Sequence, residues 1–169
     1  MHLSSRSTSG ASAGAGKLVV VVPNPIVKGG SGILALSLEL TGRQGEARIG
    51  SCTVIDGSMD ALALIDEAER RGAGELFLLG ASHVEGRGAG VYVARVEPRD
   101  ARALTPQQLT RELWMNLTGS LGLDDYAAAL SLLWNRPFIL VECDPGDAAD
   151  PEEECRRLAR EWVRRECGA

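Results

Sequence analysis

Residues 17–32 carry the first types and spacings that could do chemistry. Lys-Leu-Val-Val-Val-Val at 17–22 reads as a buried strand, and Pro23-Asn24-Pro25-Ile26-Val27-Lys28-Gly29-Gly30-Ser31-Gly32 leads from it into an apolar helix. A loop at the carboxyl end of the first strand of an α/β sheet is where such folds place their ligands. Gly30-Ser31-Gly32-Ile33-Leu34-Ala35 matches G-x-G-x-x-A, the pattern that aims a pyrophosphate at a helix N-terminus. A working fingerprint follows its strand at once, whereas here a stretch with two prolines intervenes. Lys28 precedes the glycines, where a Walker loop carries its lysine after them. No Asp, Glu, His or Cys lies between Val22 and Leu38, so the loop itself holds no general base and no strong metal donor.

His83 follows the third strand and falls in a loop at the same edge, where a lone histidine could act as a general base or a metal ligand. With no second histidine nearby, a solvent-exposed loop residue is the plainer reading. Asp56, Asp60 and Glu85 could share that edge, although Asp56 also suits a turn and Asp60 the first turn of its helix. Ser31 and Ser82 have no His and acid at readable spacing, so a serine triad is not supported. Asp124-Asp125 fits a helix surface or first turn. Trp114, Trp134 and Trp162 read as core residues, and Trp114-Met115 with Leu117 also fits an exposed apolar patch for a partner. The cysteines are Cys52, Cys143, Cys155 and Cys167, none in a C-x-x-C pair, and His2 and His83 are the only histidines. That pattern leads to an expectation of reduced thiols in a cytosolic chain and no zinc site.

The elements that must position these residues alternate between strand and helix. A first helix is expected over residues 31–40, stopped by Gly42, and a second strand over 47–55. Asp56-Gly57 makes a turn. Ser58 is a good N-cap for a helix to Arg71, with Gly72 past its end and Met59, Leu62, Ile65 and Ala68 on one face. Residues 75–81 form a buried strand, 82–90 a glycine-rich loop, and 91–96 an alternating edge or antiparallel strand. Residues 98–116 are polar, with a short helix after Thr105-Pro106. A helix follows over 121–134, ended by Asn135-Arg136-Pro137, then a last central strand over 138–142. Asp150-Pro151-Glu152-Glu153 is a strong helix start: cap, proline and acids in order. The pattern implies an α/β fold, a three-layer α/β/α domain over residues 17–169 with a mostly parallel sheet of about five strands.

The chain has 169 residues, 44% of them hydrophobic but only 4% aromatic, so the core is aliphatic. The net charge of −5 disfavours nucleic acid as a partner. No stretch approaches the roughly 18 apolar residues of a membrane span. Residues 1–16, rich in Ser, Gly and Ala without an apolar core, read as a flexible tail rather than a signal peptide.

Four segments together resemble the nickel-iron hydrogenase maturation protease family. Pro23-Asn24-Pro25 with its later glycines is similar to that family's Gly-Asn-Pro loop. Asp56-Gly57-Ser58-Met59-Asp60-Ala61-Leu62-Ala63-Leu64-Ile65 resembles its turn and Leu-rich second helix. Residues 75–81, then Gly88-Ala89-Gly90-Val91-Tyr92, resemble its third strand, loop and following strand. Gly119-Ser120-Leu121-Gly122-Leu123 is similar to the start of its fourth helix. The resemblance implies an endopeptidase that trims a C-terminal tail from the hydrogenase large subunit. Such an enzyme reads bound nickel through a loop acid, a strand-ending Asp and a His. Carried over, these fall at Gly30, Gly80 and Gly119, which offer no anionic or imidazole donor. The reading is therefore a degenerate, cytoplasmic member that needs no cofactor and has lost metal-dependent cleavage. It would bind a protein partner or peptide tail at a glycine-lined cleft with Asn24, Lys28, Gly29, Ser31, Asp56, Ser82, His83 and Glu85 around it. An active endopeptidase using Asp56, His83 or Glu85, and a nucleotide module using residues 28–32, remain open alternatives.

Overall fold

The computed structural model describes residues 16–117 and 122–169. The tail and the Gly119 position lie outside them. Four parallel strands make the centre of the sheet: β1 (Lys17–Val21), β3 (Cys52–Asp56), β4 (Glu75–Ala81) and β6 (Phe138–Asp144). Two antiparallel strands, β2 (Glu46–Ile49) and β5 (Gly90–Val96), close its edges, and the order is β2-β3-β1-β4-β6-β5.

Because side chains alternate along a strand, the continuous apolar run of β1 feeds two cores. Leu18, Val20 and Val22 join Leu76, Leu78 and Phe138 on one face, beneath α2 (Ala61–Arg70) and α4 (Leu123–Leu133). Val19 and Val21 join Phe77, Leu79 and Val141 on the other, beneath α1 (Gly30–Thr41) and α5 (Pro151–Cys167). The helix α3 (Pro106–Leu117) packs against α4. The three-layer α/β/α architecture is the expected one.

The sheet has six strands rather than about five because the expected strand over 47–55 is a hairpin. Gly50 takes φ +54°, and the Ser51 amide donates to the Cys167 carbonyl at 2.8 Å, so the end of α5 holds the turn. The start of α2 also differs from expectation. Asp56 Oδ1 captures the Ser58 amide at 2.8 Å, and Asp60 becomes the cap, accepting from the Ala63 amide at 2.8 Å. The buried stripe accordingly runs through Ala61, Leu64 and Ala68, leaving Leu62 exposed and Met59 and Ile65 partly buried. α4 begins at Leu123. α5 starts as read, with Asp150 accepting from the Glu153 amide, Pro151 first, and Arg164 and Arg165 in the last turn to complement the helix dipole.

The expectation of reduced thiols is overturned at two of the four cysteines. Cys52 on β3 and Cys167 at the end of α5 form a disulfide, with Cα atoms 5.3 Å apart and a sequence separation of 115. Cys143 and Cys155 are free and buried; burial first pushes both thiols above their usual range, making them poor nucleophiles. A crosslink closing so long a loop restricts the unfolded chain by about 4–5 kcal/mol on the chain-entropy account. The double variant Cys52→Ala/Cys167→Ala is therefore expected to lose several kcal/mol in guanidinium unfolding. Dithiothreitol should weaken the parent toward the variant and leave the variant unmoved; equal midpoints for parent and variant without reductant would contradict the bond.

Candidate functional site

In a parallel sheet, the crevice forms where successive connections leave in opposite directions from neighbouring strands. Here that point lies between β1 and β4, since β1 connects toward β3 and the chain then returns to β4 on the other side. The loop after β1 and the N-terminus of α1 stand over it.

The loop is closed by its own backbone and by α5. Gly29, at φ +86°, precedes α1 in the left-handed region. A Cβ there would sit 2.2 Å from Cys155 Sγ, and one at Gly32 would sit 1.8 Å from the Glu152 carbonyl oxygen. The absence of side chains is what lets α1 and α5 approach. Glu152 then closes the helix end: the Gly29 amide donates to Oε1 at 3.1 Å and the Gly32 amide to Oε2 at 2.8 Å. Those are the donors a phosphate would need, and a carboxylate of the chain already holds them. Lys28 Nζ donates to the Gly146 carbonyl at 2.8 Å, tying the same loop to the turn after β6.

At Gly30 and Gly80 the space is filled, not open. A Cβ on Gly30 would fall 1.7 Å from the Asn24 carbonyl oxygen, and one on Gly80 would meet Leu123 Cδ1 at 3.0 Å and the Val22 oxygen at 3.3 Å. The two glycines flank one segment, 22–24, at the carboxyl edge. What stands there is packing.

The polar centre of this edge is a residue that the sequence reading passed over. Asp144, the last residue of β6, is fully buried and accepts from four directions. Oδ1 accepts from the Gly146 amide at 2.8 Å and faces His83 Nδ1 at 3.0 Å; Oδ2 accepts from the Val84 amide at 3.0 Å and Arg87 Nε at 2.8 Å. Burial alone would push this carboxyl up. The amides of Val84 and Gly146, with His83 and Arg87, outweigh it and hold the group far below the usual carboxylate range. Arg87 also reaches Glu142 Oε2 at 3.3 Å and the Ser82 carbonyl at 3.4 Å, and its guanidinium lies 4.1 Å from the Tyr92 ring centre. Asp124 lies in the first turn of α4, and its carboxyl is pushed up by desolvation first and then by the charge of Glu142.

His83 is thus held by Asp144 with its side chain 31% exposed, in a loop that Arg87 fixes. Ser82 is buried by the same fold of the loop, while Glu85 and Ser31 are exposed. Asn24 Oδ1 accepts from the Ile26 amide. Asp56, on β3, is taken up by Ser58 and by Ser37 Oγ at 2.7 Å; burial raises its carboxyl, but these bonds carry it below its ordinary value. Trp134 and Trp162 are core residues, the latter against Phe77 at 5.5 Å between ring centres, and Trp114 is 63% exposed.

Set against solved structures, the chain matches a NiFe hydrogenase maturation protease from Thermococcus kodakarensis KOD1. The TM-score is 0.51 with 11% identity, over 94% of this chain and 96% of that one. The chain has the maturation-protease fold. A hydrogenase 3 maturation protease matches similarly, with TM-score 0.50, 13% identity, and 92% and 91% of the two chains covered. No family model and no curated protein matches the sequence.

The metal site that the resemblance to this fold's proteases implies does not fit the residues present. Gly30 and Gly80 supply no donor, and Gly119 lies outside the described residues. Among the described residues, no group of three or more His, Cys, Asp and Glu is disposed to hold an ion. Nor is any helix there long and apolar enough to cross a membrane.

Asp144 should dominate acid stability. Its folded pKa is depressed, so its contribution is present above the unfolded value near 4 and is lost as pH falls toward the folded one. Asp144→Asn removes a buried charge that four donors face and is expected to cost about 3 kcal/mol at pH 7. In urea unfolding, the variant should also show a flatter loss between pH 5 and pH 2 than the parent. Parallel pH profiles would refute that role.

Proposed function

We propose that this chain is a maturation-protease-fold domain that binds a protein segment and performs no metal-dependent cleavage. The observation that carries the reading is Gly30. The position matched to the family's loop acid has no room for a side chain, because the Asn24 carbonyl stands where a Cβ would go. Gly80, packed on Leu123, supports the same reading at the strand-ending position. The nucleotide alternative is disfavoured by Glu152, which holds the Gly29 and Gly32 amides, and by Lys28, whose ammonium bonds Gly146. An atypical endopeptidase using Asp56, His83 or Glu85 is disfavoured because Asp56 is taken up by Ser37 and Ser58 and because, among the described residues, no three His, Cys, Asp or Glu side chains are grouped to hold an ion. A protein partner or peptide tail is the substrate class that this fold's proteases bring to the proposal. A cytoplasmic location belongs to it too, and the Cys52–Cys167 bond is the feature such a compartment would challenge.

Two measurements test the reading. Incubated with a nickel-loaded hydrogenase large-subunit precursor, the protein is expected to release no tail, while a fluorescein-labelled tail peptide should bind in anisotropy titrations. Release at the rate of a competent maturation protease overturns the loss of cleavage, and a flat titration overturns that partner. Separately, Gly30→Glu with Gly80→Asp is expected to lower stability by about 3 kcal/mol through overpacking and to gain no thermal shift from nickel. A folded variant that nickel stabilises would show that the space and donors can be restored.

A further inference from the structure

The sheet has two edges, and the sequence treats them differently. β2 is four residues long and reads Glu-Ala-Arg-Ile, with Arg71 on α2's C-cap reaching Glu46 at 2.6 Å. Short, charged edges resist pairing with other chains. β5 is seven residues long and reads Gly-Val-Tyr-Val-Ala-Arg-Val, with one charge and no proline or lysine. Val93 is 56% exposed, and Ala94 and Arg95 are exposed beside it. On one side β5 pairs with β6 along its whole length, Gly90 opposite Asp144 to Val96 opposite Phe138. Among the described residues, no backbone group of 90–96 bonds outside that ladder. Alternate N–H and C=O groups of an edge strand point away from its neighbour, so β5 presents a row of them to whatever lies alongside.

We propose that the β5 edge receives an extended peptide segment as an added antiparallel strand. The inference rests on the reading of the chain as a peptide-binding domain and assigns that binding a place and a sequence preference. Only an extended backbone meets donors and acceptors at this spacing. A second copy of the chain is the weaker occupant. Seven residues span about 24 Å, and an edge layer about 10 Å deep then buries about 500 Å² in total, against about 1,200 Å² for a stable dimer. A peptide held transiently needs no more. Polarity follows from the register. A guest antiparallel to β5 runs with β6 and ends beside Gly90, at the edge where His83 and Asp144 sit. Side chains follow as well. Arg95, Val93 and Val91 share one face of β5, so the guest meets them in that order from its own N-terminus. An acid opposite Arg95, sharing or replacing the exposed Glu97 Oε1 that Arg95 Nε reaches at 2.6 Å, and apolar residues opposite Val93 and Val91 complement them. The matched pattern is acid-x-apolar-x-apolar.

The probe is a labelled acetyl-Glu-Thr-Val-Thr-Val-Thr amide, with a Lys-for-Glu version as its control. Anisotropy gives affinity and amide hydrogen exchange gives the place. The Glu peptide should protect amides within 90–96 and bind at least tenfold more weakly to Val93→Lys. Arg95→Glu should reverse the preference between the two peptides. Both substitutions are at exposed positions, and circular dichroism checks that each variant is folded. Protection elsewhere or nowhere, or affinities indifferent to both substitutions, overturns the proposal. So does a concentration-dependent dimer in sedimentation that Val93→Lys abolishes, which would assign the edge to a second copy. The hydrogenase tail peptide separates the two readings. If it binds with β5 exchange unchanged, the edge fails and the binding domain stands. If it does not bind while the Glu peptide occupies β5, the edge stands and that partner is wrong.

Discussion

The carboxylate of Glu152, two residues into α5, bonds the amides of Gly29 and Gly32 at the start of α1. Much of the architecture depends on that contact. The free amides and positive dipole end of a helix at the switch point of an α/β sheet are a standing invitation to an anion. Here the invitation is answered from within the chain. For Glu152 to reach, α5 must lie close enough that neither Gly29 nor Gly32 can carry a side chain, and the glycine run follows from that packing. The same helix is fixed at its far end by Cys167, so one element spans the face of the sheet between two anchors.

At the neighbouring strand ends the polar resources are spent in a similar way. Asp144 is a buried charge, and a buried charge is tolerable only when paired and fully hydrogen-bonded. The Ser82–Ala89 loop satisfies it by wrapping two side chains and an amide around one carboxylate. The result is a rigid loop whose one histidine is oriented by an acid yet remains partly open to solvent. The bonds of this edge are turned inward, toward order in the loop that leads into β5.

Much of the fold was legible because its signals are local. The bounds of β4, the cap and proline of α5, the Gly42 stop of α1 and the alternating edge strand β5 all depend on residues within a few positions of one another. The failures are non-local. Gly50 is the exception: Gly50-Ser51 is a local two-residue hairpin signature, masked by the apolar residues on both sides of it, and a carbonyl 116 residues from Ser51 then holds the turn. Ser58 and Asp60 are equally good caps on paper, and Asp56 decides between them by taking the Ser58 amide. Gly30 reads as a lost donor in sequence, whereas its neighbour in space is the Asn24 backbone. The Asp144 hub did leave a trace. Asp-Pro-Gly at 144–146 is a turn signature in which the Asp side chain accepts from the amide two residues on, as Oδ1 does from Gly146. Reading the last strand as ending at Glu142 hid it.

The Cys52–Cys167 bond also divides the chain topologically. It closes a covalent ring from β3 to the end of α5, and β1, α1 and β2 lie outside that ring. Yet β1 is paired on both sides, between β3 and β4, and its side chains feed both cores. One of the two innermost strands thus lies outside the ring and keeps its place by pairing and packing, while the periphery is stitched together. A backbone cut in the Pro23–Lys28 loop would leave the β1 piece removable by denaturant without any reductant. A cut in the Ser82–Ala89 loop would leave both fragments tethered until the disulfide is reduced.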